Sequence, residues 1–292
     1  TQYEGKYPNG VKTILKCLKD IEVVHYPVKK YENLPNLDLN LSTKFNFLTV
    51  AQWGPRKNLG ATVQWFVEEF FDNPDVGLVV KTFLKGGCLF DKRNIEKELS
   101  RSLEKYKNRK CKVYFMHGDL TDEEMHSLYE NKDIHALVSL THGEGFGLPL
   151  FEAAYSGLPV VATDWSGHLD FLYKPTKSKK GKSKTRPHFA KVDYDLKPVP
   201  QAAVWQGVIQ PDSQWAYPQA GSYKIKLREV YKDYKRFKSQ AKRLQKWLEV
   251  EFEQNKQYDA FINSMSEYVK QFDVEDWLNN LEINDTETGA AA

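Results

Sequence analysis

The sequence predicts an α/β protein built on a doubly wound, mainly parallel sheet with a helical carboxyl-terminal arm. Three observations lead there. Short apolar runs such as Phe45–Ala51, Val76–Thr82, Ile134–Leu140 and Leu158–Thr163 read as strands buried on both faces. Stretches with apolar residues three and four apart alternate with them, as crossover helices do. A glycine-rich stretch, His142-Gly143-Glu144-Gly145-Phe146-Gly147-Leu148-Pro149, joins the last two of these strands. It falls at a strand's carboxyl end, where open α/β sheets bind ligands.

Residues 1–20 are polar, with Pro8-Asn9-Gly10 as a turn and a short amphipathic piece through Leu15 and Leu18. Ile21–Val28 reads as a strand stopped by Pro27. Phe45–Ala51 opens the sheet and runs into Gln52-Trp53-Gly54-Pro55-Arg56-Lys57-Asn58. Asn58 reads as the N-cap of a helix carrying Val63, Phe66, Val67 and Phe70, which Asp72-Asn73-Pro74 ends. Arg56 and Lys57 therefore lie between a strand end and a helix start. Surface lysines and arginines are ordinarily just solvated, but this position favours an anion. Val76–Thr82 is the next strand. Ile95, Leu99 and Leu103 mark a helix, and Cys111–Met116 a further strand. Thr121-Asp122-Glu123-Glu124 has the form of a capping box.

In the glycine-rich stretch, Gly143, Gly145 and Gly147 are expected to take positive φ and to let the backbone approach a ligand. Pro149 suits the first turn of the helix that follows, and the free N–H groups there favour a phosphate. Glu144 in the loop and Glu152 in the helix can face one crevice. Carboxylates accept hydroxyl protons, and two of them beside a phosphate cradle suit a ligand with hydroxyls on both sides of a diphosphate. A dinucleotide fingerprint ending at Asp164 is the rival reading. It lacks the third glycine, because Leu148 or Leu150 stands in its place.

Glu144-Gly145-Phe146-Gly147-Leu148-Pro149, Glu152-Ala153-Ala154 and Gly157–Thr163 resemble the Glu-x7-Glu signature of the group 1 (family 4) retaining glycosyltransferases of GT-B fold. The resemblance covers roughly residues 21–173 and extends loosely into the helical tail. It implies the carboxyl-terminal half of a GT-B enzyme, which takes a nucleoside diphosphate sugar, UDP- or GDP-linked, and transfers a hexosyl group with retention. It also implies that Glu144, Arg56 and Lys57 are catalytic. Donor contacts then come from Gly54, Asp119, Leu120, Gly143, Gly145, Phe146, Gly147, Leu148 and Glu152, with no metal and no cofactor. The Asp119-Leu120 turn would meet the nucleobase, unless it is a plain strand–helix turn. The family's basic pair is matched by Lys57, with Arg56 standing in for the first member. His142 and His168 are candidates of a weaker kind, since a histidine at a strand end is commonly structural. They are too isolated in sequence to suggest a metal site.

The expected organisation is an interdomain linker remnant over 1–30 and a nucleotide-sugar-binding Rossmann-like domain over 31–220. A helical arm follows over 221–281, with a disordered tail over 282–292. Periodic apolar residues run from Leu227 to Phe252 and from Tyr258 to Phe272, and Trp277, Leu278 and Leu281 are candidates for a crossing back to an amino-terminal domain. The chain opens on Thr1 with no signal-peptide pattern, so a fragment or trimmed piece is expected. The partner implied is an amino-terminal acceptor-binding domain, upstream or on another chain. The second reading is a non-catalytic nucleotide-sugar-binding or regulatory module that needs such a partner. An epimerase or phosphorylase on the same fold is the third.

Composition narrows this further. Three cysteines, Cys17, Cys88 and Cys111, are few, odd in number and widely spaced, which favours a reducing, cytoplasmic setting over a disulfide framework. Lys174–Pro187 holds seven cations and no acid; removing those seven from the formal charge of +3 leaves −4. The body of the chain is thus mildly acidic, which speaks against nucleic acid as partner. The lysine-rich insertion, 174–187, reads either as a solvated mobile loop or as a contact for an anionic acceptor, a membrane surface or nucleic acid through Lys174–Arg186.

Overall fold

The computed structural model describes residues 2–6, 12–16, 21–177 and 183–269. Strands in chain order are β1 Gln2–Lys6, β2 Lys12–Lys16, β3 Phe45–Gln52, β4 Val76–Phe83, β5 Lys112–Met116, β6 Ala136–Ser139, β7 Val160–Thr163, β8 Tyr173–Lys177, β9 Ser183–Pro187, β10 Ala190–Val192, β11 Tyr194–Pro198 and β12 Gln214–Pro218. Helices are α1 Leu59–Phe70, α2 Leu89–Leu103, α3 Asp122–Glu130, α4 Leu148–Tyr155, α5 Leu169–Leu172, α6 Ala220–Lys232, α7 Tyr234–Glu251 and α8 Gln254–Val269. The chain divides into two compact units, one of residues 30–250 and one of residues 1–29 with 251–292.

The larger unit is a Rossmann-like α/β domain. Its central sheet runs β10-β7-β6-β3-β4-β5, with every pairing parallel. The first strand, β3, sits in the middle. The chain adds β4 and β5 on one side, then crosses back to add β6, β7 and β10 on the other. Strand order therefore reverses between β3 and β6, and the crevice for a ligand opens at the carboxyl ends of those two. In β3, Phe47 and Leu48 are wholly buried, as a central strand covered on both faces demands. The buried residues Val63, Phe66, Val67 and Phe70 recur every three or four positions along α1. Phe66 and Phe70 reach Phe47 at ring-centroid distances of 5.9 and 5.8 Å. Each such ring, taken from water, contributes roughly 1.5–3 kcal/mol. Tyr223, Leu227 and Val230 of α6 close the same core cluster.

The capping box forms: Glu124 N–H donates to Thr121 Oγ1 at 3.2 Å, and Thr121 N–H to Glu124 Oε2 at 2.8 Å. One local expectation needs correction. Asn58 stands at the N-cap of α1 but does not cap it; in left-handed conformation it turns its Nδ2 to the Leu140 carbonyl at 3.2 Å. Residues 188–219, without a clear place in the sequence, supply the sixth sheet strand and the β11–β12 hairpin. The lysine-rich insertion is rooted in a second hairpin, β8 with β9.

In the smaller unit β1 and β2 pair antiparallel, Gln2 opposite Lys16. Residues 21–28, expected as a strand, pair with no strand among the described residues. Ile21 and Val23 are 53% and 73% exposed, so the alternation there buries no face. Val28 N–H donates instead to the Phe252 carbonyl at 2.7 Å. The expectations placed on Pro8–Gly10, Leu18, Trp277, Leu278, Leu281 and the tail 282–292 fall outside the described residues. Among the described residues no helix is long and apolar enough to cross a membrane.

Candidate functional site

The loop leaving β3 and the loop leaving β6 meet at the switch point, and their backbones interlock before any side chain is considered. His142 N–H donates to the Arg56 carbonyl at 2.9 Å. Thr141 Oγ1 donates to the carbonyls of Arg56 and Gly143 at 3.3 and 3.0 Å. This brings three of the predicted residues into one cluster. Lys57 Nζ lies 2.6 Å from Glu144 Oε1, and Arg56 Nη1 lies 3.1 Å from Glu144 Oε2. Arg56 also donates to the Gly143 carbonyl. The Glu144 side chain is only 7% exposed. Burial alone would raise its pKa, but the Lys57 ammonium and then the Arg56 guanidinium more than reverse that and hold it below the usual carboxylate range. The cluster is thus a buried carboxylate between two cations, with a net charge of +1.

A second turn, after β7, clamps the glycine-rich loop from above. Glu144 N–H donates to Ser166 Oγ at 2.8 Å, and Gly167 N–H to the Glu144 carbonyl at 3.1 Å. A Cβ on Gly167 would stand 1.7 Å from the Gly145 carbonyl oxygen, so only glycine fits there. Ser166 reaches this contact at a φ of 84°. Of the three loop glycines, only Gly147 has positive φ, at 90°. Gly143 and Gly145 do not. A Cβ on either, or on Gly54, would meet nothing within 4 Å, so the absent side chains leave open space along the backbone.

Gly147 starts α4, with Leu148 and Pro149 as its first two residues. Leu148 is 42% exposed at this helix end. The Phe146 ring turns inward, packed on Phe151 and Phe171 at 5.1 and 5.0 Å; what this residue can offer a ligand is its backbone. Glu152 lies one turn into α4, where the buried Tyr129 hydroxyl donates to its Oε2 at 3.0 Å. Burial, then the charge on Glu152, pushes the Tyr129 phenol well above its usual range, so it stays a donor. Tyr129 was not singled out in the sequence, because its partner lies in another helix.

Asp119 and Leu120 sit on the same rim but two strands from β3, at the carboxyl end of β5. Beside them the loop after β4 closes in: a Cβ on Gly87 would stand 2.9 Å from Asp119 Oδ2. The buried Asp91 carboxylate fixes that loop, accepting from Leu84 and Lys85 N–H at 2.8 Å each, with His117 Nε2 at 3.0 Å.

The two candidate histidines are structural in their contacts. His142 Nδ1–H donates to the Ala216 carbonyl at 2.7 Å, and its ring stacks on Trp215 at 5.3 Å and meets Tyr217 at 4.5 Å. Burial keeps it below its ordinary pKa. His142 thereby seats the β11–β12 hairpin against the glycine-rich loop. His168 is fully buried, and its Nε2–H donates to the Thr163 carbonyl at 2.7 Å. Among the described residues no three His, Cys, Asp or Glu side chains lie together as a metal site would need.

Residues 38–177 match the family described as Glycosyl transferases group 1. The serotype-specific mannosyltransferase WbdA of Escherichia coli is 31% identical over 119 residues, 41% of this chain and 13% of that protein. Among solved structures, Anabaena HepE in complex with UDP and glucose superposes with a TM-score of 0.53 at 15% identity, covering 77% of this chain and 49% of that one. Sucrose-phosphate synthase of Thermosynechococcus elongatus gives a TM-score of 0.50 at 17% identity, over 80% of this chain and 47% of that one. This chain therefore spans about half the length of these two structures, and far less of WbdA. At these identities the structures establish the fold.

Proposed function

We propose, from the match of residues 38–177 to the group 1 glycosyltransferases, that this chain is the donor-binding half of a GT-B enzyme transferring a hexosyl group from a UDP- or GDP-sugar. The observation that carries the proposal is the Arg56–Glu144–Lys57 cluster beside the start of α4, at the reversal of strand order. The diphosphate lies against Arg56, Lys57 and the free N–H groups at Gly147 and Leu148. Fixed cations and a helix N-terminus stabilise charge growing on a departing phosphate without a metal. The open backbone at Gly143 and Gly145 leaves room for the transferred sugar, and Glu144 accepts its hydroxyl protons. Glu152, held by Tyr129, accepts from the ribose. Asp119 and Leu120 lie where the base would reach along the rim. Glu144, committed to two cations, is a poor covalent nucleophile, and retention of configuration is carried over from the family resemblance.

HepE was solved with UDP and glucose, which makes UDP the first nucleotide to try. Thermal denaturation with UDP, GDP, ADP and NAD, on the chain and on Glu152→Ala, tests the reading. Stabilisation by one nucleoside diphosphate, lost in the variant, supports it. A shift with NAD alone refutes it. The second reading is a donor-binding module inactive until an acceptor-binding domain joins it; HepE and sucrose-phosphate synthase, of which this chain covers 49% and 47%, both extend beyond the matched region. Donor binding without donor hydrolysis, and turnover restored by an added amino-terminal domain, would favour that one. Such an acceptor-binding partner and a cytoplasmic site of action belong to the same proposal.

A further inference from the structure

The β8–β9 hairpin is an addition between α5 and β10, and it does not belong to the donor crevice. Its register sets Lys174 opposite Arg186 and Thr176 opposite Lys184. In an antiparallel pair, opposed residues and those two along share a face. One face of the hairpin thus carries Lys174, Lys184 and Arg186. Like charges placed directly opposite cost a hairpin stability, so the arrangement calls for an anion.

That face is tied to α7. Lys174 Nζ donates to the Arg243 carbonyl at 3.1 Å, and Gln240 Nε2 to the Pro187 carbonyl at 2.9 Å. Along α7 the buried residues are Phe237, Ala241, Leu244 and Leu248, while Lys242, Arg243 and Lys246 are exposed. Two elements distant in sequence therefore join their cations into one surface. Among the described residues, none of these six cations has a carboxylate within ion-pair distance, although ion pairs are common elsewhere on the molecule. His188, between them, is kept neutral by burial and then by the Lys174 and Arg243 charges.

We propose that the β8–β9 hairpin and the solvent face of α7 form a docking surface for a bilayer rich in anionic lipids. The cations are spread over about 7 Å of strand and about 6 Å of helix axis, which suits several headgroups better than one phosphate. No residue of β8, β9 or α7 leaves an aromatic ring exposed for base stacking. The remainder of the chain is acidic overall, which disfavours a polynucleotide. The surface is independent of the donor site, so neither proposal stands or falls with the other.

Co-sedimentation of the chain with vesicles tests it. Vesicles with about 30 mol% phosphatidylglycerol should bind the chain in about 0.1 M salt and release it at about 0.5 M, while pure phosphatidylcholine vesicles should not bind. Each charge removed should weaken partitioning about fivefold. The double variants Lys184→Glu/Arg186→Glu and Lys242→Glu/Lys246→Glu should each therefore abolish it, and Lys184→Arg/Arg186→Lys should retain it. All four positions substituted are exposed, and an unchanged melting temperature confirms that the variants fold. Equal binding to neutral vesicles, binding unaffected by either double variant, or binding only to duplex DNA would each overturn the proposal.

Discussion

Glu144 and Glu152 come from one short motif, and the structure gives them opposite surroundings. Glu144 lies in the loop, buried between Lys57 and Arg56 and held ionised by them. Glu152 lies in the helix, met by a neutral phenol from α3. On the proposed reading, the carboxylate between two cations tunes the field that a diphosphate meets, and the one oriented by a tyrosine keeps lone pairs aimed at hydroxyls. Two carboxylates with separate roles are thus distinguished by their neighbours, not by their chemistry.

The largest effect expected concerns the frame that keeps the two apart. Gly167→Ala drives a Cβ into the Gly145 carbonyl. It should cost about 3 kcal/mol in chemical denaturation and abolish nucleotide binding. Gly143→Ala meets open space and should change stability by less than about 0.5 kcal/mol. If it nevertheless weakens donor binding, backbone approach at Gly143 is confirmed; equal stability of the two variants would refute the clamp.

Glu144→Gln keeps the shape and removes the charge between Lys57 and Arg56. Losing one partner of a mostly buried ion cluster should cost about 1–3 kcal/mol near neutral pH. The pH dependence has a definite sign. The folded pKa of Glu144 is depressed below 4.5, so its contribution is present above that value and lost as pH falls through the folded pKa. Denaturation curves from pH 7 to pH 3 should show the native chain converging on the variant in the acid range. A constant gap across that range would show that Glu144 is not the titrating group. Tyr129→Phe touches the other carboxylate and should cost about 1 kcal/mol. It should weaken nucleotide binding while leaving the acid limb of the Glu144 titration unchanged. A shift in that limb would mean that the two carboxylates are coupled.

Much of this was readable in the chain. The strands β3, β4, β6 and β7 and the capping box on α3 declared themselves through local pattern, because burial on both faces and caps are decided within a few residues. The meeting of Arg56 and Lys57 with Glu144 was foreseeable only from where each lies relative to a strand end. What escaped were contacts whose partners lie far apart in sequence. His142 finds its acceptor at Ala216, Glu152 its donor at Tyr129, and Asn58 abandons its cap for the Leu140 carbonyl. Ile21–Val28 reads as a strand, but among the described residues it finds no partner strand. The glycines at 143 and 145 read as positive-φ positions; in the structure they take other conformations and border open space instead.

A small stability effect, but the sharpest on the proposed role, belongs to Arg56. Its side chain is 42% exposed, against 19% for Lys57, and its contact with Glu144 is longer, 3.1 against 2.6 Å. Solvent screens such a pair, so Arg56→Ala should cost no more than about 1 kcal/mol, and less than Lys57→Ala. Binding should not follow that ranking. A guanidinium at the mouth of the crevice can reach a phosphate by a charge-assisted bond worth about 1.5–3 kcal/mol, or roughly tenfold or more in affinity. Calorimetry with a nucleoside diphosphate and with the bare nucleoside separates the two. If Arg56 acts on the diphosphate, the variant loses affinity for the first and keeps it for the second. If both fall together, Arg56 serves only to hold the Gly143 carbonyl and the loop behind it.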